Sequence, residues 1–558
     1  MTSQQSPSQL PMSNIDPITF QVLWSRLIAI ADEMAVALEK TAFSHVVRDN
    51  HDYACAVYNA DGEMMAEATH CTPGQIGAMT RVMHQFLDVF PADTLSPGDV
   101  LITNDPWFGS GHTPDIFIAS PAFLGEHLIG FAANSAHHVD IGGRLASPDA
   151  REVYEEGLII PISKLIVAGE PNRDLFNIVQ RNVRMPDKVI GDLRAQAASN
   201  HVGGRRLAEM MQERGLQSLT DLSSQILAHT EASMRAVIAE APDGVYTCDL
   251  ELGNRDRQGN PLHICLKLEI SGDRIHADFT GTSKQIDLPI NAVYNITYAY
   301  VVFGVKCALH PHIPNNVGCY RPFTVTAPEG SILNATYPAP CMWRTDIVYN
   351  VAEAIFVAIS QKMPDKVFAP CGTYPLWLPI FAGQMDDGRS FVQHFNAAGG
   401  QGAGHDRDGI STTVYPANVS NTPVELLEIE SPLICDEKYL LQDSGGPGEY
   451  RGGLGQEVVL RNGGVNPISG TIIGGRYDAG APGLLGAMAG SKGLVRINDD
   501  PPFTWHREIS LAPGDRLTLR YPGGGGFGDP AQRERSRIND DLREALVSQD
   551  QVESVYGS

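Results

Sequence analysis

Between positions 49 and 140 the chain gathers the residue types that hold metal ions. Three groups stand out: Arg48-Asp49-Asn50-His51-Asp52, then Asn104-Asp105 leading to Gly111-His112-Thr113-Pro114-Asp115, then His137-His138-Val139-Asp140. A first-row divalent ion takes imidazole and carboxylate ligands at about 2.0–2.2 Å, and a catalytic one keeps a position open for water. His112 and Asp115, three apart around a proline, can offer a nitrogen and an oxygen from one bend. His137 and His138, adjacent on an extended segment, point to opposite faces, so only one easily serves a given site. Taken alone, the Asn-Asp-Pro run is as readily an Asx-capped turn as a ligand loop. Other histidines, such as His45, His70, His84 and His127, read as packed or surface residues.

Other catalytic signatures are missing. The dipeptide Gly-Lys occurs nowhere, which excludes a phosphate-binding G-x-x-x-x-G-K-[ST] loop. There is no G-x-S-x-G elbow and no H-E-x-x-H helix. Glycine-rich segments near the C-terminus (GGQGAG, SGGPGEYRGGLG, PGGGGFGDP) could form backbone nests for anions. Their plainer reading is turns in a β domain or a subunit contact.

Elements that would position the three groups can be read from periodicity. A long amphipathic helix starts at Asp16-Pro17, the aspartate as N-cap and the proline in the first turn. A hairpin turns at Asp61-Gly62, and Pro73 to Phe90 has helical period. DVLITNDPWFGSG reads as a buried strand entering a loop; DIFIASPAFL and HLIGFAANSAHHVDIGG read as two more strands. A helical region runs from about 187 to 241. After Asp243-Gly244, the stretches YTCDLEL, LHICLKLEI and RIHADFTGT alternate like half-buried antiparallel strands. DDLREALVSQ reads as a short terminal helix. The three ligand-type groups therefore fall at strand ends and on loops between strands, where separate segments converge.

A chain of 558 residues is too long for one core, since single cores stop growing near roughly 250–300 residues. The expected fold class is α+β and multidomain: a mixed helix/strand N-terminal metal-binding region and a β-rich, glycine-rich C-terminal part. The expected divisions are a disordered tail over 1–14, the metal-binding domain over 15–242, a β-rich domain over 243–430, a glycine-rich β domain over 431–530 and a helical tail over 531–558. Asp plus Glu outnumber Lys plus Arg by 65 to 41, a formal charge of −24, so nucleic acid and membrane surfaces are poor partners. No apolar run approaches the roughly 18 residues of a membrane span, and the first residues lack the pattern of a secretory signal. Nine scattered cysteines with no C-x-x-C pair fit reduced thiols and a cytoplasmic protein.

At the ligand groups the sequence gains a likeness. TNDPWFGSGHTPDIFIASPAF followed by SAHHVDIGG resembles the signature of the hydantoinase B/oxoprolinase family, and the match continues through EVYEEGLIIP, NVRMPDKVIGDLRAQAASNHVGGRRL, GGQGAGHDRDG, NTPVELLE, DSGGPGEYRGGLG and PGGGGFGDP. The resemblance implies a B-type subunit of an ATP-dependent cyclic-amide hydrolase acting on hydantoins, 5-oxoproline or lactams. An A-type partner would bind ATP with its magnesium, in an A2B2 heterotetramer. It implies metal ligands at Asp52, His112, Asp115 and His137, catalytic through the ion, with zinc favoured over manganese or iron. His138, Asp140 and Asp105 are candidates to support the ligands, Asp140 or Asp105 by orienting a ligand histidine through its second ring nitrogen. Departures from the family pattern lie at Asp49 (often Glu), Ala54 (often Ser) and near Gln75, where a histidine is common. The glycine-rich C-terminal third is expected to form part of the contact with the A-type partner. Two alternatives stay open: a component of an ATP-dependent ketone carboxylase of the acetone or acetophenone type, and a scaffold whose metal is structural.

Overall fold

The computed structural model describes residues 15–374, 377–503 and 507–557; the tail expected over 1–14 lies outside them. The chain forms a multidomain α+β fold with four sheets among the described residues.

The helix Pro17–Thr41 starts where expected, with the Asp16 carboxylate accepting from Ile18 N and Thr19 N at 3.1 Å each. Its residues Leu23, Leu27, Ile30, Met34 and Leu38 recur every three or four positions and are fully buried. They pack the helix against another, Pro186–Arg214, where Gly203 lets the two backbones close up around Met34.

These helices cover an antiparallel sheet of seven strands: β1 (Tyr53–Tyr58), β2 (Met64–Glu67), β3 (Val100–Thr103), β4 (Asp115–Leu124), β5 (His127–His137), β6 (Ser163–Val167) and β7 (Glu170–Pro171), in spatial order β2-β1-β5-β4-β3-β6-β7. Alternation along β4 divides its side chains between two hydrophobic clusters, Ile116 and Ile118 in one, Phe117 and Ala119 in the other. The helix Pro73–Val89 also packs on this sheet and contacts the helix Tyr294–Leu309, which lies on Thr345–Ser360. That last helix covers a second sheet built from β8 (Gly244–Arg255), β9 (Pro261–Ser271), β10 (Arg274–Asp278) and β11 (Phe323–Thr326).

The third sheet contains β12 (Ile380–Gln384), β13 (Ser390–His394), β16 (Ile468–Ile472) and β18 (Arg507–Leu511). The fourth contains β14 (Leu433–Leu440), β15 (Gln456–Asn462), β17 (Leu494–Ile497) and β19 (Arg516–Arg520). The third sheet joins strands from both sides of residue 430, where a boundary was expected. Likewise, Leu193, Ile238, Tyr246, Ile264 and Ile347 share one hydrophobic cluster across residue 243. Segments on either side of both expected divisions share packing.

The glycine-rich segments correct an expectation. They are not mainly turns: most of their residues lie in no turn, helix or strand. Instead they run side by side with no regular helix or ladder and bond to one another through the backbone. Pro522–Gly528 lies among them: Gly524 N donates to Gly453 O and Gly525 N to Pro370 O at 2.9 Å each, Gly526 N to Met488 O at 3.1 Å. Ala403 N, Gly446 N and Leu484 N donate back to Gly525 O, Gly524 O and Gly526 O at 2.8–3.0 Å. A methyl group on Gly400, Gly402, Gly453, Gly523 or Gly524 would land on a neighbouring backbone carbonyl. Glycine is required here for the reason it is required along the collagen axis, since only a residue without Cβ fits. These backbones approach other parts of the same chain.

The terminal helix also shifts. It occupies Arg535–Arg543, earlier than DDLREALVSQ, because the chain turns at Ala545 with φ 53°. Arg533, fully buried, bonds Asp408 at 2.7 Å and Asp541 at 2.7 Å, and Arg451 reaches Asp541 at 3.2 Å, which ties this tail to the glycine bundle. No helix among the described residues is long and apolar enough to cross a membrane.

Candidate metal centre

Strand register brings three of the four expected ligands together. Asp115, the first residue of β4, lies directly across from His137, the last residue of β5. On the other side of β5, Tyr53 pairs with Ala136, and His137 N donates to Asp52 O at 3.0 Å. Asp52, Asp115 and His137 therefore sit at the same end of three neighbouring strands. His112 arrives from the β3–β4 loop. That loop is held by Asn104, which donates to Thr113 O at 2.7 Å and Leu158 O at 2.9 Å and accepts from Ile160 N at 2.6 Å.

Asp115 Oδ1 lies 2.8 Å from His112 Nε2 and 2.9 Å from His137 Nδ1. His137 Nδ1 is 4.0 Å from Asp52 Oδ2. His112, Asp115 and His137 form the one group of potential ligands close enough to share an ion among the described residues. His112 Nε2 is buried and, despite its closeness to Asp115, makes no hydrogen bond. A buried imidazole nitrogen without a proton partner, facing a carboxylate oxygen and a second imidazole, fits a divalent cation.

Electrostatics favours the ligating form at His112 and Asp115 and the protonated form at Asp52 and His137. Burial and the neighbouring Arg344 charge push His112 down to about 4, so it is neutral at pH 7. Burial works against Asp115, but the His112 ring and the hydrogen bonds it receives outweigh that and hold its carboxyl well below the usual range. Asp52 is pushed up to about 6, chiefly by burial. His137 is raised: burial opposes its charge, and the hydrogen bond to Asp115 with the Asp52 charge wins.

Arg344 completes the arrangement, although no motif in the sequence singles it out. Its Nη2 donates to Asp115 Oδ2 at 3.0 Å, its Nη1 is 2.9 Å from His112 Nδ1, and its Nε donates to Ser110 O. Gly111, with φ 90°, passes against the Arg344 side chain where a Cβ would collide. Ser110 Oγ donates to the same Asp115 oxygen. Met342 O lies 3.1 Å from His112 Nδ1, and Gln75 Nε2 donates to Asp52 Oδ1 at 2.8 Å. Glu156 in turn accepts from Cys341 N at 2.7 Å and Met342 N at 2.8 Å, fixing the segment that meets His112. His394 faces His137, ring centroids 5.4 Å apart, with Nε2 3.1 Å from Val139 O. For Arg344, Glu156 and His394 the sequence offers no distinguishing signal.

The expected supporting residues do other work. His138 Nε2 bonds Gln196 Oε1 at 3.0 Å. Asp140 accepts from Gly142 N, Met185 N and Arg184, pinning a loop rather than orienting a histidine. Asp105 caps its own turn, accepting from Trp107 N at 2.9 Å, and lines a different pocket.

The centre opens into a cavity of about 900 Å³, its mouth included. Its lining includes Tyr300 and Tyr349, 5.3 Å between centroids, and the apolar Trp343, Val348, Leu378 and Ile380.

Comparison with known proteins places this architecture. The family model described as hydantoinase B/oxoprolinase matches residues 16–530. A Pseudomonas protein named as a candidate B component of a D-/L-hydantoinase is 30% identical, covering 98% of this chain and 95% of its own. The crystal structure of the ATP-dependent caprolactamase from Pseudomonas jessenii superposes with a TM-score of 0.90 at 28% identity, covering 98% and 96% of the two chains. A 5-oxoprolinase of Saccharomyces cerevisiae is 28% identical over 92% of this chain, but over only 42% of its own length.

Proposed function

Because the chain belongs to the hydantoinase B/oxoprolinase family, we propose that it is the metal-carrying B-type subunit of an ATP-dependent hydrolase of cyclic amides, with ATP bound and cleaved on an A-type partner. The observation that carries this reading is the meeting of His112, Asp115 and His137 where a loop joins the ends of adjacent strands, beside an open cavity. Asp52 is the fourth ligand. Two carboxylates and two imidazoles suit zinc, and manganese or iron also accept them. Such an ion supplies a Lewis acid that polarises an amide or phosphate oxygen and brings the pKa of water towards about 7.

This chain's own residues do the rest. Arg344 and Ser110 fix the Asp115 carboxylate, Met342 O fixes the His112 ring, and Gln75 fixes Asp52. The apolar side chains lining the cavity keep bulk water from an activated substrate. Unstrained cyclic amides resist hydrolysis, which is the chemical reason to couple their opening to ATP.

The partner is supported by relatives named as parts of multi-chain enzymes and by the long 5-oxoprolinase, more than half of which has no counterpart here. We take the assembly to be A2B2, the simplest closed two-fold arrangement. The nine free cysteines fit a cytoplasmic setting. Co-expression with an A-type partner tests the division of labour. The purified pair should hydrolyse ATP only with a cyclic amide present, and this chain alone should bind no ATP by calorimetry. Full amidohydrolase activity by this chain without ATP would replace the proposal with a stand-alone metallohydrolase.

A further inference from the structure

Besides the ligands, the metal cavity is lined by two polar side chains that the chemistry above leaves idle. They are His394, the last residue of β13, and Asn396, two residues on. Between them Phe395 points the other way, into the hydrophobic cluster of the third and fourth sheets. Extended backbone sends alternate side chains to opposite faces, so His394 and Asn396 share the cavity side. The segment is held on both flanks, Phe395 N donating to Pro379 O and Asn396 N to Thr422 Oγ1, each at 2.9 Å.

Val139 O can only accept, so His394 Nε2, 3.1 Å from it, carries the ring proton. Burial, with the His137 and His45 rings beside it, keeps a second proton off. Nδ1 therefore presents a bare lone pair. It has no partner among the described residues and, unlike His112 Nε2 and His138 Nδ1, it is open to the cavity. The side-chain amide of Asn396 likewise makes no bond among the described residues and opens onto the same space. One short extended segment thus offers an acceptor beside a group that can donate.

We infer that His394 and Asn396 read the edge of a cyclic amide, His394 Nδ1 accepting the ring N–H and Asn396 Nδ2 donating to the ring C=O. The inference rests on the cyclic-amide reading above and adds two substrate-binding residues to it. In a small ring the amide is held cis, so its N–H and C=O point the same way, and one acceptor beside one donor meets both. The carbonyl oxygen has two lone pairs, so Asn396 leaves one for the metal centre. Holding the ring by this edge orients its carbonyl carbon before water adds.

The test begins with the co-expressed pair and ATP, screened against caprolactam, hydantoin and 5-oxoproline. The compound that most stimulates ATP turnover is kept, together with its derivative methylated on the amide nitrogen. Dissociation constants for both are then measured by calorimetry on the metal-loaded pair with a non-hydrolysable ATP analogue. The parent should bind the N–H form at least about tenfold more tightly, the scale of one hydrogen bond. His394→Phe keeps a ring but no acceptor; it should weaken the N–H form by about tenfold and leave the N-methyl form unchanged. His394→Asn, whose Oδ1 can accept, should restore part of the preference. Asn396→Leu should weaken both forms alike, because both keep the carbonyl. Metal content by elemental analysis should match the parent in all three variants. If His394→Phe weakens both forms equally or neither, or if it loses metal while melting like the parent, the inference is overturned and the cyclic-amide reading stands. ATP turnover stimulated by none of the three compounds overturns both.

Discussion

Glu156 sits almost fully buried, with Oε1 accepting two backbone N–H groups and Oε2 without a partner. Burial pushes its carboxyl up from about 4.5 to about 8. The folded chain thus binds this proton more tightly than the unfolded chain does. Stability from this group is fully present below about pH 4.5 and is lost as pH rises towards about 8, at about 1.4 kcal/mol per unit of displacement. Glu156→Gln keeps the accepting oxygen and removes the proton, so melting temperatures followed from pH 5 to pH 8 should fall less steeply in the variant. Among the ligands, Asp115→Ala or His112→Ala should lose most bound divalent metal by elemental analysis, whereas His138→Ala, whose ring bonds Gln196, should keep it. Full metal in both of the first two would remove the site. The spacing of His112 and Asp115 was legible because both come from one short loop. Arg344 and Glu156 were not, because they meet the site through contacts more than 180 residues apart in sequence.

Helices and strands with strong periodicity could be read directly: Pro17–Thr41 with its cap, the hairpin at Asp61-Gly62, and the alternating strands after Asp243. The glycine segments could not. Composition shows many glycines, but a turn glycine and a close-packed glycine look alike until the facing backbone is known. The difference is measurable. Gly400→Ala and Gly524→Ala place a methyl on Gly453 O and Gln401 O, and overpacking against a backbone that cannot step aside should cost about 3 kcal/mol or more. Gly253→Ala, in β8 with open space around its Cβ, should stay within about 0.5 kcal/mol of the parent. Thermal melts of the three variants separate the readings, and equal melting for all three contradicts a close-packed bundle.

On the scale of the molecule, the sequence conveyed fold class. Around the expected divisions at 243 and 431, one hydrophobic cluster and one sheet draw from both sides. The C-terminal tail is fastened by the buried Arg533–Asp541–Arg451 group. Asp541→Ala should leave Arg451 without a carboxylate partner and Arg533 with Asp408 alone, cost about 3 kcal/mol and expose the C-terminal tail to limited proteolysis; a cleavage pattern like the parent's would show that the clamp is dispensable. The place of Pro522–Gly528 among the glycine segments has a further consequence for synthesis. Its partners in the bundle, from Pro370 to Met488, all leave the ribosome before it. Until it emerges, those carbonyls and amides face a gap that no earlier stretch of chain can fill. A nascent or truncated chain ending near residue 520 would therefore carry an open seam of unpaired backbone, the kind of edge that recruits other chains, and the arrival of one short stretch of glycines decides whether the segments made before it are folded or sticky.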